Sequence, residues 1–383
     1  MAIEPRGRDV DDPSAIAAAA LLLIVAGAIW LIMPVYMGAA ADSLQLDESE
    51  IGSLAAADFA GLALASLLAP LWIRRVNWRV ASSIGLSFML LGNTASVYAD
   101  SFNILAVIRF ATEFAGGAVA SVALASLADT TRTDRNFALA IAAQTVFGTV
   151  ALLGLPYLVA RWGVDSVFVC LVVVTLLVFL SVPYLTRQGT AHTVPSAGSK
   201  RTVLLPFLGL IGMTLFFSNI GAIWAYIERI GAAAGLMATY IGQALAISNV
   251  VALIGALTAA FVGDRFGHLR PLMMVAVLQL AAVGLLNVRL DAMTFVLALS
   301  VYGFFWNFAI PFQMTATANA DPSGRLIVLA TAFQGAGAAL GPGLVALLIR
   351  PGSFSAVYLV AAVCSVICLL LFAVVVRASE SAK

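Results

Sequence analysis

The sequence predicts an all-α membrane protein: twelve transmembrane helices in two pseudo-symmetric six-helix bundles. Three observations predict it: composition, a series of apolar runs of membrane-spanning length, and an internal repeat. Of 383 residues, 62% are apolar and 10% charged, and mean hydropathy is +1.04. A soluble domain carries roughly 25% charged residues, so this chain has too few to cover its own surface in water. That excludes a soluble enzyme, a disordered chain and a secreted disulfide scaffold. The net charge is +1 with two lysines, Lys200 and Lys383, which leaves no footprint for nucleic acid. Cys170, Cys364 and Cys368 all lie in apolar runs and read as small buried hydrophobes rather than bridges or ligands. No metal or cofactor is expected.

A spanning helix needs about 20 apolar residues to cross about 30 Å of hydrocarbon. Cutting at charge, proline and glycine clusters predicts spans at 16–38, 51–73, 79–98, 103–127, 137–160 and 164–186. A second set follows at 203–228, 234–262, 270–289, 293–318, 326–349 and 354–376. Runs such as Leu171–Leu180 and Leu369–Val376 do not alternate, as barrel strands would. Helices are then what satisfies the backbone in lipid. The charged segment before the first span (Glu4, Arg6, Arg8, Asp9, Asp11, Asp12) precedes an apolar stretch too long for a cleaved signal, so span one reads as an uncleaved helix.

Basic residues set the orientation. Of 20 Lys and Arg, Arg161, Arg229, Arg289 and Arg350 fall on one side, Arg109 falls within a span, and the other 15 share the side of the termini. This bias predicts both termini in the cytoplasm of a cell whose inner membrane holds the protein. The longest polar linker, 187–202, divides the chain into a tail (1–13), a first bundle (14–186), a second bundle (203–377) and a short tail (378–383). The halves align at an offset of 190: Ile51-Gly52 on Ile241-Gly242, Arg74-Arg75 on Asp264-Arg265, and Arg135 and Gln144 on Arg325 and Gln334. Parallel repeats imply a twofold axis along the membrane normal and a site near the midplane between the halves.

The segment Gly263-Asp264-Arg265-Phe266-Gly267-His268-Leu269-Arg270 resembles the G-x-x-x-D-R-x-G-R-[RK] loop signature of the Major Facilitator Superfamily of secondary transporters. His268 stands where a basic residue is usual. In the first-half copy, Trp72 to Arg79, Arg74 replaces the expected Asp and Asn77 the second Gly. Span four carries Arg109-x-x-x-Glu113-x-x-Gly116-Gly117, similar to the family's Arg-then-Gly pattern, and Asp129 and Arg135 follow where the family often has an Asp and an Arg. The resemblance covers essentially every span. It implies the fold of that family, and a gate at Asp264, Arg265, Gly267 and Arg270. Gly337-x-x-x-Gly341-Pro342-Gly343 in span eleven is like the tail of the family's antiporter signature, which belongs in span five. There only Gly148, Gly154 and Pro156 stand.

Charges inside a span cost about 2.5–3.5 kcal/mol each on insertion scales, so each one suggests a use. Arg109 and Glu113 are four apart and share a helix face. Asp58 in span two lies at a similar depth, roughly 10 Å in. The functional reading is a proton-coupling cluster of Asp58, Glu113 and Arg109, with Asp58 the carrier because Glu113 already has Arg109 one turn away. The bland reading is a fixed ion pair between helices. Polar and aromatic residues recur in the spans that the family uses to line its cavity. The expected substrate set is Trp30, Tyr36, Asn219, Trp224, Glu228, Gln243, Trp306, Asn307, Gln313 and Gln334. Aromatic faces with a few directed amides suit a mostly apolar or aromatic-containing solute. For any one amide, bonding between helices is an equal alternative.

The expected function is secondary active transport of a small solute by a monomer in the lipid bilayer, coupled to protons. The span-eleven segment leans this toward efflux by proton antiport. Proton-coupled import, facilitated diffusion, and a non-transporting receptor on a transporter fold are the alternatives. No H-E-x-x-H, G-x-S-x-G or P-loop motif is present, and His192 and His268 both lie in loops, so neither an enzyme nor an ATP-driven pump is expected.

Overall fold

The computed structural model describes residues 9–188, 204–288, 290–321 and 326–380. Twelve helices long and apolar enough to cross a membrane are present among them. In order they are α1 (Pro13–Leu44), α2 (Glu48–Trp72), α3 (Trp78–Val97), α4 (Phe102–Ala128), α5 (Thr133–Trp162) and α6 (Asp165–Phe179), then α7 (Leu204–Ala233), α8 (Ala238–Val262), α9 (Leu269–Leu286), α10 (Ala292–Ala320), α11 (Ala330–Leu348) and α12 (Ser355–Glu380). Most of the expected linker, with Lys200 and Arg201, lies outside the described residues, as do Arg6, Arg8, Arg289, Arg325 and Lys383.

Local chemistry sets the helix ends. Asp47 and Glu50 form a capping box that starts α2. Asn77 accepts from the amide of Arg79 at α3, and Asp291 from that of Thr294 at α10. Several helix ends differ from expectation, and four of these differences have a local cause. α1 runs past its expected end at 38 and closes on Gln45 in the left-handed region, φ 54°. α7 continues to Ala233 and stops at Gly235, φ 81°, so Glu228 and Arg229 lie inside it rather than at its end. α6 ends at Phe179, because Pro183 cannot continue it and a 3₁₀ turn follows at Val182–Tyr184. α11 starts at Ala330, after a 3₁₀ turn whose amides at Leu326 and Ile327 bond Asp321 Oδ2.

The repeat register holds in the helices themselves. α2 and α8 start at 48 and 238, α4 and α10 at 102 and 292, α6 and α12 at 165 and 355, so each pair is 190 residues apart. Within the first six helices α4 packs on α1, α2 and α3. Within the last six α10 packs on α8 and α9, and α7 on α11 and α12. The halves meet through α2 on α11, α5 on α8, and α1 on α7. The repeated Ile-Gly pair makes two of these seams. A methyl at Gly52 would sit 2.7 Å from the Pro342 carbonyl on α11, and one at Gly242 would sit 2.6 Å from the Leu152 carbonyl on α5. Only glycine lets the backbones approach so closely.

Candidate functional site

A cavity of about 420 Å³ lies between the halves. It runs from mid-helix residues to Leu124, Phe137 and Thr331, near the helix ends on the side where α1 begins. No Asp, Glu, Lys, Arg or His is among its lining residues. Its far end is an aromatic floor. Trp30 lies edge-on to Phe59 (4.7 Å between centroids) and Trp306 (5.4 Å), and Trp306 lies edge-on to Trp224 (5.7 Å). Trp224 Nε1 donates to the Trp30 carbonyl at 2.8 Å, pinning α7 to α1.

The polar lining is amide and hydroxyl. Gln144 donates from Nε2 to the Leu23 carbonyl (2.8 Å), and Asn249 from Nδ2 to the Thr145 carbonyl and Thr149 Oγ1 (both 3.0 Å). Because those partners include main-chain carbonyls, each amide must turn its NH₂ to them, leaving its oxygen as the free acceptor. Of the expected substrate set, Trp30, Trp224, Trp306, Asn307 and Gln334 line the cavity.

The other five do not line it, each for a reason of helix phase or partner. Tyr36 is six residues from Trp30, about 120° round the helix, and is buried in the first half. Gln243 is likewise six residues from Asn249 and is exposed outside. Asn219 faces Tyr302 and Gln279, taking a 2.9 Å bond from Tyr302 Oη. Gln313 lies beyond Pro311 against Cys368 on α12. Glu228 is held by Arg229 Nε at 2.6 Å, with Gly38 leaving room for its carboxylate.

Beyond the floor, the side where α1 ends is closed by bonds between the halves. Tyr226 Oη donates to the Glu48 carbonyl (2.6 Å), Ser49 Oγ to the Ala346 carbonyl (2.8 Å), and the Gly352 amide to Glu48 Oε1 (3.1 Å). Arg229 bridges α7 to Asp42 on α1 at 2.6 Å.

Asp58, Arg109 and Glu113 do come together, inside the first half rather than in the cavity wall. Arg109 is fully buried and donates three ways: Nε to Asp58 Oδ1 (2.9 Å), Nη2 to Glu113 Oε1 (2.5 Å) and Nη1 to Asn93 Oδ1 on α3 (2.8 Å). The Tyr36 and Phe168 rings lie 5.8 Å from the guanidinium. Asp58 Oδ2, Glu113 Oε2 and Tyr36 Oη are buried with no hydrogen-bond partner. With both carboxylates ionised the buried cluster carries a net charge of −1, which a single added proton neutralises. Two carboxylates on one guanidinium can thus hold or release a proton without losing the countercharge.

The expected gate residues are separated from this site. Gly263 and Gly267 take positive φ, 50° and 66°, in the turn between α8 and α9. Arg265 lies over the Phe261 ring at 4.9 Å, Arg270 is exposed, and the Asp264 side chain lies outside the described residues. In the first-half copy, Arg74 makes a two-pronged bridge to Asp129 (2.6 and 2.9 Å). The glycines of span eleven serve packing: a methyl at Gly337 or Gly341 would strike the Thr214 or Ser218 carbonyl of α7.

Sequence reasoning missed Asn93, which carries no charge to mark it, and Phe59, Phe217, Ser248, Asn249 and Tyr302 in the cavity wall. The repeat held a signal for part of this. Positions 190 residues after Asp58, Arg109 and Glu113 are Ser248, Leu299 and Gly303, and all three line the cavity.

Comparison with known proteins agrees with the helical architecture. Among solved structures, the nucleoside transporter NupG superposes with TM-score 0.70 at 14% identity, over 96% of this chain and 100% of that one. A D-xylose-proton symporter gives 0.72 at 14%, over 94% and 96%. A bacterial homologue of the human lysosomal transporter Spinster, inward-facing and occupied, gives 0.66 at 15%, over 96% and 94%. At such identities the likeness is one of fold. A sequence search among curated proteins finds no match. The family profile "Major Facilitator Superfamily" matches residues 16–325, most of the chain, and with twelve spans in this fold the chain belongs to the Major Facilitator Superfamily of membrane transporters.

Proposed function

We propose that this chain is a proton-coupled secondary transporter for a small uncharged solute with an apolar or aromatic body, with both termini in the cytoplasm. The observation that carries the reading is the pairing of a cavity lined without Asp, Glu, Lys, Arg or His with a separate buried cluster of two carboxylates and one guanidinium. A wholly neutral wall gives a charged solute no countercharge to offset its desolvation. The aromatic floor and the free amide oxygens suit a flat ring bearing N–H or O–H donors. Two fold neighbours are named for nucleosides and for D-xylose, both uncharged ring solutes. The cavity reaches toward one side while bonds close the other, which is the asymmetry that alternating access requires.

The test is luminal pH in proteoliposomes containing a trapped pH dye. Uridine, D-xylose, indole and benzamide are added outside, with benzenesulfonate and tetramethylammonium as permanently charged, membrane-impermeant probes. The reading predicts a pH change with at least one uncharged probe and none with the charged ones. Acidification marks symport and alkalinisation antiport. A response confined to charged probes, or none from any probe, contradicts it.

A further inference from the structure

The cluster holds two carboxylates, and pairing does not distinguish them. Each gives one oxygen to Arg109 and keeps the other unpartnered. Access does distinguish them. The Asp58 side chain is 0% exposed and that of Glu113 is 4% exposed. Glu113 also reaches toward the cavity. The point where a methyl would stand on Gly116 is 3.3 Å from Glu113 Oε2, 3.7 Å from Met89 Cε and 3.8 Å from the Ala26 carbonyl. Glu113 Oε2 and the Ala26 carbonyl, being 3.3 and 3.8 Å from one point, are therefore at most about 7 Å apart. One or two bridging waters span such a distance. Ala26 lines the cavity.

We infer that Glu113, and not Asp58, is the member of the cluster that holds the proton, exchanging it with cavity water through the gap that Gly116 leaves between α4 and α1. This deepens the proposed coupling and rests on it for its role in transport. The step is a simple transfer: hydronium in the cavity water gives its proton to Glu113 Oε2 and is left as water, and on release a water takes the proton back as hydronium, while Glu113 Oε1 stays on Arg109. Asp58 remains the ionised partner of Arg109, so the guanidinium never loses its countercharge. The ionisable groups facing Glu113 are Arg109 on its own helix, Asp58 on α2 and Tyr36 on α1. The neutral Asn93 on α3 and Phe168 on α6 lie against Arg109, and Met89 on α3 lies at the Gly116 gap. Sequence position had favoured Asp58, because Glu113 and Arg109 share a helix face. In the structure Arg109 serves both carboxylates.

The experiment is infrared spectroscopy of the full-length protein in lipid, which reads the protonated carboxyl directly and needs no substrate. The inference predicts a buried carboxylic-acid band in wild type that shifts to lower frequency when glutamate carries ¹³C at its side-chain carboxyl, that does not shift when aspartate is so labelled, and that is lost in Glu113→Gln. Gly116→Ala adds one methyl at the gap, in a variant that keeps every charged group. It should keep the band and slow its hydrogen–deuterium exchange several-fold. A band that shifts with labelled aspartate and not with labelled glutamate overturns the inference, as does the absence of a band in wild type or exchange in Gly116→Ala as fast as in wild type. Because the band reports where the proton sits and the liposome assay reports whether it drives transport, failure of one is distinguishable from failure of the other.

Discussion

Asp58, Arg109 and Glu113 in the first six helices have counterparts 190 residues later in Ser248, Leu299 and Gly303. In the first half the α2–α4 contact is made by a buried guanidinium and two carboxylates. In the second half the matching α8–α10 contact is made by Ser248 Oγ donating to the Leu299 carbonyl at 2.7 Å, with Gly303 close enough that a methyl would lie 2.5 Å from that hydroxyl. The same helix crossing therefore forms with no charge at all. Burying three charges carries a desolvation cost that a small-residue contact avoids. The crossing does not need them, so the asymmetry points to a use for the charge other than packing. The neutral counterpart faces the cavity, where a charge would bias the choice of solute.

The largest effect expected from breaking this comparison comes from Arg109→Leu, which puts the counterpart residue at one position. It strands two carboxylates, and loss of one partner from a buried ionic group costs about 3–5 kcal/mol. Thermal unfolding in detergent should show a large fall in Tm. Converting all three positions at once (Asp58→Ser, Arg109→Leu, Glu113→Gly) should recover most of that loss, because no unpaired charge remains. A triple variant no more stable than Arg109→Leu would mean the charges are needed for packing after all.

Next come the glycine seams, which make the halves alike where the charges make them differ. Gly52→Ala and Gly242→Ala each drive a methyl into a facing backbone carbonyl. Each should cost about 1–3 kcal/mol by overpacking. Both seams lie on the closed side, so thiol labelling of a cysteine placed at Ser49 should rise several-fold in either variant. Unchanged labelling would mean these seams do not hold that side shut.

Much of the fold was legible because composition and repeat carry it. Charge and proline breaks mark the spans, and the 190-residue register reappears in the starts of three helix pairs. The pair Arg109 and Glu113 was legible from their four-residue spacing, and Asp58 from its depth. The cavity wall was legible only by halves. In lipid both faces of a helix are apolar, so periodicity does not tell the inward face from the outward one. Trp30 and Tyr36 read alike, yet one faces the cavity and the other Arg109. Asn93 was invisible because an amide in a span has many partners to choose from.

Smaller effects test the closed side and the helix caps. Asp42 is 71% exposed on its side chain, so Asp42→Asn should cost less than about 1 kcal/mol and lose its effect in high salt. The caps differ between the halves. Asp291 caps α10 through the Thr294 amide, while its counterpart Ser101 makes no side-chain cap bond at α4. Hydrogen bonds from the Thr294 and Met293 backbone hold the Asp291 carboxyl below its ordinary value. Its contribution is therefore present above the unfolded carboxylate range and lost as pH falls through the lowered value. Asp291→Ala should lower Tm slightly at neutral pH and less in acid, whereas Ser101→Ala should change little at either.

The central claim is that the charged cluster of the first half couples a proton to a solute held in the neutral cavity. Its most direct test compares wild type with the triple neutral variant in proteoliposomes. The probe is the uncharged solute that gives the largest luminal pH response in wild type. The account predicts that a pH gradient drives net movement of that solute in wild type alone, while solute counterflow persists in the variant. Gradient-driven movement of equal extent in the triple variant would contradict it.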